Sequence, residues 1–163
     1  MKRAVIAGSF DPFTIGHKDL YDRASEIFDE VLIGVAVCSN KKVLDAQKRV
    51  EIIKAYLPNA KVKIFDGLLT DFMKNENINY LVRGIRNTID FEYEKNLDTV
   101  YKSINDIEIL YMIPPADKMH VSSTIVRELL KAGGDISKLV DTKAENSIRS
   151  YYIGGFNEDK SHN

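Results

Sequence analysis

Four short segments hold most of the side chains in this sequence that could act on an anion. They are Gly8-Ser9-Phe10-Asp11-Pro12-Phe13-Thr14-Ile15-Gly16-His17, Asn40-Lys41-Lys42, Arg83-Gly84-Ile85-Arg86 and Ser122-Ser123-Thr124. Together they supply two arginines, two lysines, a histidine and a row of hydroxyls. Those are the donors a polyphosphate needs, and no obvious nucleophile stands among them. The first segment says most. Asp11-Pro12 reads as a tight turn, and Gly8 lets a ligand approach the backbone. Gly16-His17 falls where a helix begins, so unpaired N–H groups and the positive dipole end attract phosphate there. An imidazole at that point can donate to an anion, which makes the turn a candidate nucleotide site.

Each residue also has a plainer explanation. A histidine after glycine is commonly structural, Lys41 and Lys42 suit a solvated loop, and one of Ser122 to Thr124 is explained as a helix cap. Glu92 and Glu94 could face water on either side of Tyr93. Cys38 suits a small core residue at a strand end, with no His/Asp partner to make it a nucleophile. His120 and His162 offer no metal spacing. There is no Walker-type phosphate loop and no Gly-x-Gly-x-x-Gly after the first strand, so a nucleotide would be held differently.

The elements that position these segments are readable in order. Ala4-Val5-Ile6-Ala7 suits a strand buried on both faces. Leu20, Ala24, Ile27 and Phe28 have the spacing of one apolar helix face. Val31 to Val37 is a second strand, running out into the loop from Cys38 to Lys42. Asp45 is a candidate N-cap for a helix with Ala46, Val50, Ile53 and Leu57 on one side, ended by Pro58. A short strand spans Val62 to Phe65, and Gly67 leads into a brief helix through Leu68, Phe72 and Met73. Tyr80-Leu81-Val82 is a fourth strand that delivers Arg83 to Arg86. The pattern predicts a long helix over 88–104, with Tyr93, Leu97, Val100, Tyr101 and Ile104 in register. A fifth strand over 107–113 is closed by Pro114-Pro115. Ser122 or Ser123 can cap a helix carrying Val126, Leu129 and Leu130 that stops at Gly133-Gly134. Ala144, Ile148, Tyr151 and Tyr152 predict a last helix, ended by Gly154-Gly155. Strands alternating with helices predict a single-domain, Rossmann-like α/β fold with a five-stranded parallel sheet flanked by helices. In that architecture the four segments share one edge of the sheet and converge on one crevice.

The 163 residues are 44% hydrophobic and 29% charged, with a net charge of −1. That balance suits one soluble domain and gives no global basic field for nucleic acid, so anion binding must be local. A single cysteine rules out an internal disulfide and a multi-cysteine zinc site, and suits a reducing cytoplasm. No apolar stretch has signal-peptide or membrane-span length, so a membrane is not an expected partner.

Gly8 to Pro12 followed by Thr14-Ile15-Gly16-His17 resembles the nucleotidyltransferase superfamily motif in its Thr/His-x-Gly-His form. Arg83-Gly84-Ile85-Arg86, Asp90-Phe91-Glu92-Tyr93-Glu94 and Val121-Ser122-Ser123-Thr124 are similar, in order and spacing, to motifs of bacterial phosphopantetheine adenylyltransferases. The likeness runs from Arg3 to about Leu139. It implies a nucleotidyltransferase domain over 1–155 with a polar tail over 156–163. The implied activity is transfer of the adenylyl group of ATP to 4′-phosphopantetheine, giving 3′-dephospho-CoA and pyrophosphate in coenzyme A biosynthesis. By this resemblance His17 would stabilise the transition state, with Lys41 and Arg86 acting on the phosphates. ATP contacts would come from Ser9, Phe10, His17, Gly84, Ile85, Arg86 and Glu94, and from Lys118, Met119, His120, Val121, Ser122, Ser123 and Thr124. Acceptor contacts would come from Ser9, Lys41, Leu69 and Arg83. Mg²⁺ carried by the nucleotide, CoA as a feedback ligand, a cytoplasmic location and a homohexamer built as a dimer of trimers are also implied. Two positions depart from the pattern: Ile6-Ala7 stands where Tyr-Pro is usual, and His120 where an aromatic residue is usual. The alternatives are another superfamily nucleotidyltransferase, making a dinucleotide from nicotinate mononucleotide or a CDP-alcohol, and a non-catalytic nucleotide- or CoA-binding module. The Arg83-to-Glu94 block argues against the first, and intact His17 and Lys41 against the second.

Overall fold

The continuous apolar runs form strands because both faces of the sheet they build are covered. The computed structural model describes residues 1–37 and 44–158, the last five of these as backbone only. The strands are β1 (Arg3–Gly8), β2 (Glu30–Ala36), β3 (Lys61–Phe65), β4 (Tyr80–Gly84) and β5 (Glu108–Met112). They form one sheet in the order β3-β2-β1-β4-β5, and every pairing is parallel. Side chains alternate across it, as strand geometry requires. Ala4, Ile6, Val31, Ile33 and Val35 pack on one face, while Val5, Ala7, Leu32 and Leu81 pack on the other.

The first face is covered by α1 (Ile15–Ser25), α2 (Ala46–Tyr56), α5 (Ser123–Lys131) and α6 (Thr142–Glu158). The second is covered by α3 (Leu69–Asn75), with α4 (Thr88–Ile104) alongside. Gly34 is needed on that side, because a Cβ there would lie 2.8 Å from the Phe72 ring, which stacks on Phe65 at 4.5 Å. No helix among the described residues is long and apolar enough to cross a membrane.

Strand order decides where a ligand can sit. The chain starts at β1, steps outward to β2 and β3, then returns to place β4 on the other side of β1. The connections therefore diverge at the β1/β4 boundary. A crevice opens beyond the strand ends at that point. Ser9 follows β1 directly, and Arg83-Gly84 ends β4, so two of the four segments meet there.

Several expectations need correction. Ile27 is 55% exposed and lies beyond the end of α1, which buries Leu20 and Ala24 only. Leu68 precedes α3 and is exposed. The buried face of α2 is Arg49, Ile52, Ile53 and Tyr56, rotated from the expected one. Helix α4 has the expected bounds, yet none of its residues is buried. A 3₁₀ turn, Ala116–Lys118, was not foreseen. Helix α6 continues through Gly154-Gly155 to Glu158, across the boundary expected at residue 155.

Candidate active site

The turn after β1 is built to aim a histidine. Thr14 is the N-cap of α1, and its Oγ1 accepts the His17 N–H at 3.4 Å. In return His17 Nδ1 accepts the Thr14 N–H at 3.0 Å, which closes a capping box. A backbone amide can only donate, so Nδ1 carries the lone pair and the proton of the neutral ring sits on Nε2. The ring stands 5.1 Å from Phe10 and 5.2 Å from Phe13, centre to centre. Burial against these rings, then the nearby Arg86 charge, lowers its pKa from 6.5 to about 4. His17 is therefore a neutral Nε2–H donor at physiological pH.

This has a consequence for stability. Between pH 6.5 and 4 the unfolded chain binds a proton at His17 that the folded protein refuses. The contribution is complete above pH 6.5 and is lost as pH falls through that window, by about 1.4 kcal/mol per unit and about 3 kcal/mol in all. Urea unfolding at pH 7 and pH 4.5 should show a shallower loss for His17→Gln, whose amide can accept the Thr14 N–H without titrating. An unchanged slope would contradict the assignment.

The turn itself is held from four directions. Asp11-Pro12 is a cis bond, and Phe10 has a left-handed φ of 50°. A bulky residue holds that conformation only where its surroundings impose it. The Asp11 carbonyl accepts from Arg127, the Pro12 carbonyl from Ser123 Oγ at 2.7 Å, and the Phe13 carbonyl from Tyr56 O–H at 3.0 Å. The Ser9 carbonyl accepts from Arg49. Ser123 therefore donates its hydroxyl to the turn, whereas Ser122 Oγ caps α5 as an acceptor of the Ile125 N–H at 3.2 Å, which leaves its own O–H to donate. What that segment offers a ligand is the Ser122 O–H together with the unpaired N–H groups of the first turn of α5.

A cleft of about 320 Å³ lies over these elements. Ser9, Phe10 and His17 form its floor on the β1 side, and Arg83, Gly84, Arg86 and Glu94 line it from β4 and α4. Lys118 and Val121 to Thr124 close it from the α5 side. Arg86 is held by the α4 residue Asp90, whose Oδ2 accepts its Nε at 3.0 Å and its backbone N–H at 3.2 Å. Arg83 lies across the sheet end, donating to the Ala7 carbonyl at 2.8 Å. Its Nε stands 3.2 Å from Glu94 Oε2, close as an ion pair without hydrogen-bond alignment.

Four expected contacts lie elsewhere. Ile85 is buried behind the strand end, Met119 and His120 are exposed, and Leu69 sits at the start of α3 against the second core cluster. Lys41, with the rest of the Cys38-to-Lys42 loop, and His162 lie outside the described residues. Two charged lining residues were not foreseen. Asp19 pairs with Lys118 Nζ at 2.8 Å, and Arg23 donates to the Ile113 carbonyl at 2.9 Å while facing Asp19. Gly16, Asp19, Leu20 and Arg23 all line the cleft, at i, i+3, i+4 and i+7. That helical stripe running on from the histidine was the available signal.

Comparison with known proteins agrees with this geometry. A family model described as cytidylyltransferase-like matches residues 5–129. The chain is 40% identical over 158 residues to phosphopantetheine adenylyltransferase of Aquifex aeolicus, spanning 94% of this chain and 98% of that one. It is 38% identical over 157 residues to the enzyme of that name from Shouchella clausii (93% and 99%), and 41% over 152 residues to that of Aliivibrio fischeri (90% and 95%). Among solved structures, Plasmodium falciparum nicotinic acid mononucleotide adenylyltransferase, complexed with NaAD, matches with a TM-score of 0.69 at 19% identity, over 96% of this chain and 98% of that one. Its complex with APC gives 0.68 at 17%, over 95% and 98%. At that identity the structural likeness establishes the fold, whereas the three full-length relatives are close enough to decide the family. With its motifs gathered at the β1/β4 switch point, the chain belongs to the phosphopantetheine adenylyltransferases, within the cytidylyltransferase-like group.

Proposed function

We propose that this protein transfers the adenylyl group of ATP to 4′-phosphopantetheine, giving 3′-dephospho-CoA and pyrophosphate, a step of coenzyme A biosynthesis. The observation that carries the reading is likeness at 38–41% identity over nearly the whole chain to enzymes of that name. The cleft supports it. The acceptor's 4′-phosphate is ionised near neutral pH and attacks the α-phosphorus of ATP directly. A phosphate oxygen–phosphorus bond forms, the bond to the β-phosphate bridge breaks, and pyrophosphate leaves with the electron pair. No general base is needed. What is needed is alignment of two anions and stabilisation of charge on the α-phosphate oxygens, which is what fixed donors supply.

In this reading His17 Nε2–H donates to an α-phosphate oxygen. Arg86, oriented by Asp90, and the first-turn N–H groups of α5 take the phosphates that leave. Glu94, Gly84, Lys118 and the Val121-to-Thr124 segment hold the nucleotide; Arg83, Ser9 and Lys41 hold the acceptor, with Lys41 also acting on the transferring phosphate.

The residues present do not suit a protein-held Mg²⁺. Asp19 and Glu94, the two carboxylates of the cleft, are each ion-paired, and the described residues include no cluster of three or more His, Cys, Asp or Glu that could hold a metal. A Mg²⁺ would travel on the nucleotide's own phosphates.

The homohexamer implied by the resemblance is part of the proposal. Ile89, Tyr93, Val100 and Ile104 form one stripe on α4 and are 76%, 64%, 49% and 52% exposed in the single chain, which supports burial against other copies. A cytoplasmic location and feedback by CoA are proposed on the same resemblance. Incubated with ATP, Mg²⁺ and one acceptor at a time, the protein should release pyrophosphate with 4′-phosphopantetheine and not with nicotinate mononucleotide. The reverse preference would overturn the assignment; binding of ATP with no turnover on any acceptor would favour the binding module.

A further inference from the structure

Arg49 on α2 is 2% exposed and is the bulkiest of the fully buried side chains. A buried guanidinium is tolerated only where its donors are satisfied. Arg49 makes its hydrogen bonds to three backbone carbonyls, which belong to three separate segments. Nε donates to Leu44 O at 2.6 Å, and Nη1 donates to Ala36 O at 3.0 Å and to Ser9 O. Ser9 opens the turn that lines the cleft, Ala36 ends β2, and Leu44 immediately precedes the N-cap of α2. One side chain thus ties the cleft turn to both ends of the β2–α2 connection.

Asp11 makes the same tie from the other side. Its carboxylate, 4% exposed, accepts the Leu44 N–H at 3.1 Å and the Tyr152 O–H of α6. The Leu44 residue is therefore gripped at its N–H by Asp11 and at its carbonyl by Arg49. Neither contact points into the cleft. Both set where the cleft turn stands relative to α2.

We infer that Arg49 is a positioning residue for the proposed reaction: it sets where the Ser9 turn, which lines the cleft, stands relative to the end of β2 and the start of α2. This rests on the transfer reading above. In-line displacement is sensitive to such distances, and a misplacement of about 1 Å can lower rates by up to about a hundredfold. An apolar residue of the same bulk would fill the space equally well, but would leave three carbonyls and three chain segments untied.

The test compares Arg49→Lys and Arg49→Met with wild type. Lysine keeps the charge but cannot serve three carbonyls lying in different directions, and methionine keeps most of the bulk with no donor. Thermal melts, ATP titration and steady-state kinetics are measured on the same preparations, well below each melting temperature. Arg49→Lys should fold and bind ATP within about twofold of wild type, while kcat falls on the order of tenfold and the KM for 4′-phosphopantetheine rises. Arg49→Met should lose more; if it does not fold, the lysine variant decides. A lowered melting temperature with kcat and acceptor KM unchanged in Arg49→Lys would mean a purely structural role and would overturn the inference. Absence of wild-type turnover with 4′-phosphopantetheine would overturn the transfer reading and this inference together; wild-type turnover matched by Arg49→Lys would overturn the inference alone.

Discussion

Replacing His17 with alanine should lower kcat on the order of 10²–10³-fold while leaving ATP affinity within a few-fold of wild type. The effect is large because Nε2–H is a single donor held in place before the substrate arrives, with Thr14 at the other nitrogen and two phenylalanine rings beside it. A neutral imidazole adds little to ground-state binding of a triphosphate, which Arg86 and the α5 N–H groups would dominate. Its hydrogen bond strengthens as charge on the α-phosphate oxygens reorganises, so its loss falls on kcat rather than on binding. Alanine also removes half of the capping box, so circular dichroism on the same preparation is required. His17→Gln supplies the second arm, since it can keep the cap while its own donor is placed differently. Turnover of the folded alanine variant within a few-fold of wild type would remove His17 from the mechanism.

The second large effect divides the two arginines. Arg86→Ala should raise the KM for ATP, and Arg83→Ala the KM for 4′-phosphopantetheine, each by about one to two powers of ten for one lost charged contact. The division follows from their anchors. Arg86 is fixed by Asp90 at the start of α4, on the rim of the cleft, whereas Arg83 lies against the end of β1 with Ala7. The structure adds a refinement. Removing Arg83 also leaves Glu94 without its ion-pair partner, so a smaller rise in the KM for ATP should accompany Arg83→Ala. Equal damage to both substrates by both single variants would show the division to be wrong.

The parts of this molecule legible in its sequence are those with a local cause. Ala4 to Ala7 and Val31 to Val37 read as buried parallel strands because covered faces require uninterrupted apolar residues. The start of α1 was placed at Gly16-His17, next to the Ile15 that opens it, although Thr14 was not singled out as its cap. The cap of α5 was narrowed to Ser122 or Ser123, and Ser122 is the residue that caps it. What escaped depended on distant partners. Arg49 looks like any polar residue on a helix, and its burial arises only because Ser9, Ala36 and Leu44 bring their carbonyls together around it. The charge state of His17 could not be read, because burial and Arg86 act against any bound phosphate; in the protein alone they leave the ring neutral. Helix α4 misled in a third way. Its apolar stripe fixed the helix correctly, but periodicity cannot say how much of the stripe meets this chain's own core: Tyr101 packs against the second cluster, while Tyr93, Val100 and Ile104 stay exposed.

The most direct test of the account follows the phosphorus atoms. ATP labelled with ³²P at the α position, and separately at the γ position, is incubated with Mg²⁺ and 4′-phosphopantetheine, and the products are separated. Adenylyl transfer predicts α label in a product of the mass of 3′-dephospho-CoA and γ label in pyrophosphate. Label from the γ position in the pantetheine product, or α label recovered only as AMP, would contradict it.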